Sequence, residues 1–121
     1  MISPETIRER VNADARMVAR GRHVDAVVLL GVGSEIWRLD IRRGAVAEAS
    51  TGPFVMPSST FRLTAPVEEW AEFWQPIPAP GHHDIFAMMK RRVLTAEGDL
   101  HPLMANLFYF KALLASPRGL P

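Results

Sequence analysis

The chain contains no cysteine among its 121 residues, which removes disulfide frameworks, thiolate metal sites and a cysteine nucleophile from consideration. It also lacks an excess of either charge. Lys and Arg number 14 against 13 Asp and Glu, a formal charge of +1, and the two signs are interleaved, whereas a nucleic-acid surface carries a basic stripe. No nucleic-acid partner is expected. Long apolar runs are missing: nothing approaches the ~18 residues of a membrane span, so no stable membrane insertion is expected. The opening MISPETIRERVNADARM carries charge early and has no apolar stretch of the secretory kind, which points to a cytoplasmic protein. No G-x-S-x-G elbow surrounds any serine, and Gly31-Val32-Gly33 leads into a strand rather than the helix of a phosphate loop. Nucleophilic and nucleotide chemistry are therefore not expected.

What is present is apolar patterning on the scale of one domain, since domains run to about 100–150 residues. Ser3-Pro4-Glu5 supplies a capping hydroxyl, a first-turn proline and an acid, predicting a helix over 3–20 that ends at Gly21, with only a thin apolar stripe of Ile7, Val11 and Val18. HVDAVVLLGV (23–32) is rich in β-branched residues, and SEIWRLDIR (34–42) alternates with Trp37, Leu39 and Ile41 on one face. These make a hairpin. Arg43-Gly44 turns the chain into a weaker strand over 45–50. TFRLT (60–64) alternates again with Phe61 and Leu63 inward, after a gap too long for an ordinary hairpin and suited to a crossover.

Helical segments dominate the rest. Thr64 or Ala65 caps a helix that places Val67, Trp70, Phe73 and Trp74 on one face, and QPIPAPG (75–81) ends it. HHDIFAMMKRR (82–92) resumes as a short helix with Asp84 as cap, VLTAE (93–97) is a short strand, and Asp99 caps a closing helix before a frayed tail over 116–121. Read as one helix at about 100° per residue, the closing segment puts Leu100, Leu103, Met104, Leu107, Phe108, Phe110 and Leu114 on an arc of roughly 160°, against the ~100° that core packing needs. The surplus faces a tight core, another subunit or a ligand.

The order of elements gives an α+β single domain over 1–121, α-β-β-β-crossover-β-α-α-β-α, with a five-stranded, mostly antiparallel sheet covered by helices on one face. Trp37, Leu39, Phe61 and Leu63 then line the sheet, while Trp70, Phe73, Trp74, Phe86, Met88, Met89, Leu103, Met104, Leu107 and Phe108 lie on the helices covering it. A filled core accounts for any one of these residues. Collectively, crowded aromatics beside adaptable methionines suit a small-molecule lining, and they are the candidate ligand-binding residues of an apolar tunnel. Polar selection at its mouth falls to a residue such as Arg62, His101 or Tyr109.

No catalytic residue, metal ligand or cofactor site is assigned. His82 and His83 diverge by about 100° on a helix and make a poor chelating pair. Glu97, Asp99 and His101 cluster at the start of the closing helix, where capping and solvent exposure explain them as well as general acid–base work does.

The spacing of DAVVLLGVGSEIWRLDIRRGAV, TFRLTAPVEEWAEFW and RRVLTAEGDLHPLMANL resembles the sterol carrier protein family, or nonspecific lipid-transfer proteins, over residues 20–115. The shared features are an acid-rich helix start after a strand, here Thr64 to Trp70, and a basic-apolar strand ending in Gly-Asp, here Val93 to Asp99. The resemblance implies noncatalytic binding and transfer of a fatty acyl chain, acyl-CoA, sterol or similar hydrophobe. The link 75–81 departs from the family's short glycine-containing connection by carrying Pro76, Pro78 and Pro80, and this bears on ligand class. Two alternatives remain: a small isomerase, cyclase or hydrolase using the same cavity, or an accessory domain whose wide helix face forms a homodimer or docks a partner enzyme.

Overall fold

In a computed structural model, residues 2–55 and 58–118 are described. The Ser3 side chain accepts from the Thr6 N–H and the Thr6 hydroxyl accepts from the Ser3 N–H at 3.0 Å, a reciprocal cap that starts helix α1 (Pro4–Asn12). The single helix expected over 3–20 is two. Asp14, in extended conformation, accepts from the Arg16 and Met17 N–H groups and starts α2 (Ala15–Arg20), because an aspartate that captures two free amide donors begins a new helix. The thin stripe of α1 is nonetheless core, with Ile7 and Val11 fully buried. At the end of α1, Asn12 gives its amide N–H to the Val46 carbonyl at 2.9 Å and takes the Val46 N–H at 2.8 Å.

Val46 lies on β3 (Ala45–Thr51), the edge of a five-stranded sheet ordered β3-β2-β1-β4-β5, with β1 (Asp25–Val32), β2 (Glu35–Arg42), β4 (Phe61–Ala65) and β5 (Thr95–Gly98). Among the described residues, β1 and β4 are the only neighbouring strands that pair in parallel. Since β4 lies beside β1 rather than β3, the connection from Gly52 to Thr60 is the expected crossover; Met56 and Pro57 within it lie outside the described residues. The β2–β3 turn has positive φ at Arg43 (49°) and Gly44 (82°), as a two-residue hairpin turn requires to match strand twist.

One sheet face, carrying Val28, Leu30, Leu39, Ile41, Phe61 and Leu63, is buried; the opposite face carries Arg38, Asp40 and Arg62. Helices α3 (Val67–Phe73), α4 (Ile85–Lys90), α5 (His101–Ala105) and α6 (Leu107–Ala115) contribute Trp70, Phe73, Met88, Leu103, Phe110 and Leu114 to the same core. The Phe110 ring meets Phe61 edge-on at 5.3 Å. Thr64 and Ala65 stay in β4, and Pro66 takes the cap position of α3. Asp84 caps α4 as expected, accepting from the Ala87 N–H at 2.9 Å.

The closing segment corrects a second expectation. Asn106, at φ −127° and ψ 43°, separates α5 from α6, so the single arc of apolar residues does not exist. Leu103, Phe110 and Leu114 are buried, Leu100 and Leu107 half-buried, and Met104 and Phe108 face outward, 58% and 75% exposed. Asp99 still serves the turn into α5, accepting from the His101 N–H at 3.1 Å. Of the tail, Arg118 is held by the Phe73 carbonyl at 3.0 Å and the His83 carbonyl at 3.2 Å, while residues 119–121 lie outside the described residues.

Candidate functional site

The helix-facing lining condenses around three indoles. Trp37 from β2 stacks on Trp74 at 5.6 Å with planes 4° apart, and Trp74 stacks on Trp70 at 5.3 Å. Each contact adds about 0.5–1.5 kcal/mol beyond area burial. The indole N–H groups are satisfied rather than left bare: Trp37 donates to Glu35, Trp70 to the Gly31 carbonyl at 2.9 Å and Trp74 to the Leu114 carbonyl at 2.8 Å. Trp37, Leu39, Phe61, Leu63, Trp70, Phe73, Trp74, Met88 and Leu103 are all buried together, with Phe86 and Met89 half-buried at the margin, whereas half-buried Leu107 lines a separate surface concavity with Arg20 and Asn106. Met104 and Phe108 stand outside this group.

Where the core comes to the surface, a cleft of about 290 Å³ opens between α6 and the start of α4. Phe73 and Ile85 bring core side chains to it, and Ala112 and Ala115 supply the small side chains of α6 that leave the gap. Its rim is charged. Lys111 Nζ lies 3.6 Å from Asp84 Oδ2 and 5.3 Å from the Phe86 ring centre. The Arg118 guanidinium lies over the Phe73 ring at 4.8 Å, and Arg20, His83 and Phe108 complete the wall. Burial works to raise the Asp84 carboxyl, but the Ala87 N–H, the Lys111 charge, the Phe86 N–H and His83 outweigh it and hold the group below its usual range. Burial alone lowers Arg118.

Sequence reasoning overlooked Arg20, Ile85, Lys111, Ala112, Ala115 and Arg118 as neighbours of one cleft, because they come from separate elements. Asp84 was legible only as a cap. The polar candidates for a mouth are scattered: Tyr109 is buried with its hydroxyl donating to the Gly44 carbonyl at 2.6 Å, Arg62 lies on the opposite sheet face, and His101 is exposed at the start of α5. The two histidines also diverge, His82 Nε2 lying 2.7 Å from Glu69 Oε2 and His83 Nε2 lying 3.8 Å from Asp84 Oδ2.

No protein-family model and no curated protein sequence matches the chain. Solved structures do. A crystal structure of sterol carrier protein 2 superposes with a TM-score of 0.78 at 15% identity, over 98% of this chain and 95% of that one. This chain has the sterol carrier protein fold. The apo form of sterol carrier protein 2 from Yarrowia lipolytica matches at TM-score 0.62 and 13% identity, covering 95% and 88% of the two chains. Palmitated sterol carrier protein 2-like 2 from Aedes aegypti matches at 0.54 and 20% identity, covering 90% and 93%. Within the sterol carrier fold of this chain, the cleft lies where α6 passes the α3–α4 connection, beside the end of the tryptophan stack. Among the described residues no helix is long and apolar enough to cross a membrane.

Proposed function

We propose that the protein binds and transfers a hydrophobic ligand, a fatty acyl chain, acyl-CoA, sterol or similar molecule, without catalysis. The apolar part of the ligand enters through the α4–α6 cleft and extends between sheet and helices by parting the packed side chains of Trp70, Phe73, Trp74, Met88 and Leu103. The observation that carries this reading is that Phe73 and Ile85 belong at once to the core and to the cleft. A hydrophobe seated there is continuous with the interior, and its affinity comes from apolar area removed from water. The cleft matches the lower end of ligand-site volumes, about 300–1,000 Å³, so a long chain requires α4 to lift from α6. Met88 and Met89 on α4 have the adaptable side chains for that repacking. The palmitated state of the Aedes aegypti protein supports an acyl ligand.

Titration with palmitate tests the reading through tryptophan fluorescence, since Trp74 lies 6.4 Å from Phe73. A saturable change is expected, and Ala115→Phe, which fills the cleft, should abolish it while the protein stays folded. Native mass spectrometry of the purified protein should also reveal a co-purifying hydrophobe. Absence of both a co-purifying hydrophobe and a saturable response would overturn the reading.

A further inference from the structure

The connection between α3 and α4, residues 75–84, is a strap along the cleft: it ends in His83 and Asp84, which wall the cleft, and runs directly into Ile85. Pro76, Pro78 and Pro80 fix three of its φ angles, so it moves as a piece. Three side chains hold its backbone down. Glu72 of α3 accepts from the Ala79 N–H at 3.2 Å, Arg91, just past α4, donates to the Gly81 carbonyl at 3.3 Å, and Arg118, after α6, donates to the His83 carbonyl at 3.2 Å. Arg91 also packs tightly on Gly81, where φ is +84° and an added Cβ would lie 2.6 Å from the arginine side chain.

His82 supplies a further tie, and both of its ring nitrogens face acceptors. Nδ1 lies 3.3 Å from the Pro80 carbonyl, and Nε2 lies 2.7 Å from Glu69 Oε2, the two side chains being 15% and 16% exposed. A neutral imidazole carries one N–H and leaves one of these acceptors facing a lone pair, whereas the imidazolium donates to both. Arg91 Nη1 lies 3.2 Å from both Nε2 and Glu69 Oε2. Once Nε2 has lost its proton it accepts from Arg91, and its contact with Glu69 joins two acceptors. Histidine is the side chain whose charge ordinarily changes between pH 5 and 8. The other charged groups at the strap are Glu69 and Glu72 of α3, Asp84, Arg91, Arg118 and Lys111 of α6; carboxylates, guanidinium and ammonium groups keep their charge through that window. His83, 64% exposed, meets the Asp84 carboxylate at 3.8 Å, and among the described residues no second acceptor faces its ring.

We infer that the strap is a pH-operated latch on the cleft, tied while His82 is an imidazolium and released as His82 loses its proton. Only for its consequence, the admission of a hydrophobe, does this rest on the proposed carrier role; release of the strap is a property of the empty protein. The sign follows from linkage. Protons favour closure, because only the imidazolium completes both contacts, and a long chain enters only when α4 lifts from α6. Ligand binding therefore drives a proton off and strengthens as pH rises. The contact keeps some solvent access, so the effect is modest, about threefold.

Amide hydrogen exchange of the ligand-free full chain, expressed as protection relative to the intrinsic rate at each pH, tests it. The closed strap bonds the Ala79 N–H to Glu72 and the His82 N–H to the Ala79 carbonyl. Protection of these two amides is expected to fall about threefold between about pH 5.5 and about pH 8. His82→Gln keeps a donor for Glu69 but does not titrate, so its protection should be equal at the two pH values, while His83→Gln should behave as the parent. Ring nitrogen chemical shifts of His82 in the parent give the same test without a variant, since loss of the ring proton should track loss of protection. Affinity for 1-dodecanol, an uncharged probe, should rise about threefold over the same interval in the parent and stay constant in His82→Gln. Equal protection at both pH values in the parent, a pH effect that survives His82→Gln or vanishes in His83→Gln, strap release out of step with the His82 ring proton, or dodecanol binding without pH dependence would overturn the inference. Protection that follows pH as expected, with no dodecanol binding at either pH, would uphold the latch and count against the carrier reading alone.

Discussion

The Trp74 indole donates its N–H to the Leu114 carbonyl at 2.8 Å, tying the end of α3 to the last turn of α6. That carbonyl belongs to the final turn of a helix, where no intrahelical donor reaches it. One bond therefore completes a helix terminus and fixes the aromatic stack against α6, beside the candidate cleft.

Trp74→Phe keeps an aromatic ring but removes the donor, leaving a buried carbonyl unsatisfied. The expected loss is about 1–3 kcal/mol, read as a lower urea midpoint with an unchanged slope. A wild-type midpoint would show that the bond contributes nothing net.

Tyr109 joins three elements. Its ring occupies the place a side chain on Gly21 would take, 2.3 Å from an added Cβ, and its hydroxyl bonds the Gly44 carbonyl. Gly21→Ala must displace the ring and is expected to cost about 1–3 kcal/mol, measured by chemical denaturation.

Burial also pushes the Tyr109 phenol above its ordinary value of 10.0. A group whose folded value is raised contributes stability that is complete below the unfolded value and is lost as pH rises toward the folded one. Stability should therefore fall above pH 10 in the parent and fall less steeply in Tyr109→Phe. Parallel alkaline profiles for the two proteins would contradict this.

Glu69 on α3 receives both His82 Nε2 at 2.7 Å and Arg91 at 3.2 Å, clasping the α3–α4 connection. The Arg91 hydrogen bond is the main cause that holds the Glu69 carboxyl below its ordinary value of 4.5; burial opposes it, and the charge of Arg91 and the contact with His82 add to it. For a depressed carboxylate the contribution is present above the unfolded value and lost as pH falls below 4.5 toward the folded one. Glu69→Gln should flatten that acid limb of the stability curve while leaving the alkaline limb unchanged.

Asn12 closes both backbone groups of Val46 on the sheet edge. Asn12→Ala frees that edge and is expected to cost about 1–3 kcal/mol. Faster amide exchange at Val46, with little change at Leu30 in the centre of the sheet, would locate the effect at the edge.

Alternation and punctuation in the sequence determined much of the fold. Trp37, Leu39 and Ile41 against Arg38, Asp40 and Arg42 assigned the two faces of β2, because a pleated strand sends successive side chains to opposite sides. Arg43-Gly44 and the capping residues Ser3 and Asp84 placed turns and helix starts, since their local chemistry acts over three or four residues. Asp14 carried a comparable local signal, yet the continuous helical periodicity around it masked the second start. Only the tertiary structure decided what the closing segment faces: one irregular residue, Asn106, sends Phe108 into solvent while Phe110 packs on Phe61. The cleft was likewise beyond sequence, because Arg20, Phe73, Ile85, Lys111 and Arg118 meet only after α2, α3, α4 and α6 pack on the sheet. Short-range bonding and side-chain period are written along the chain, whereas a concavity is what remains between surfaces, and its position follows from how distant elements fit.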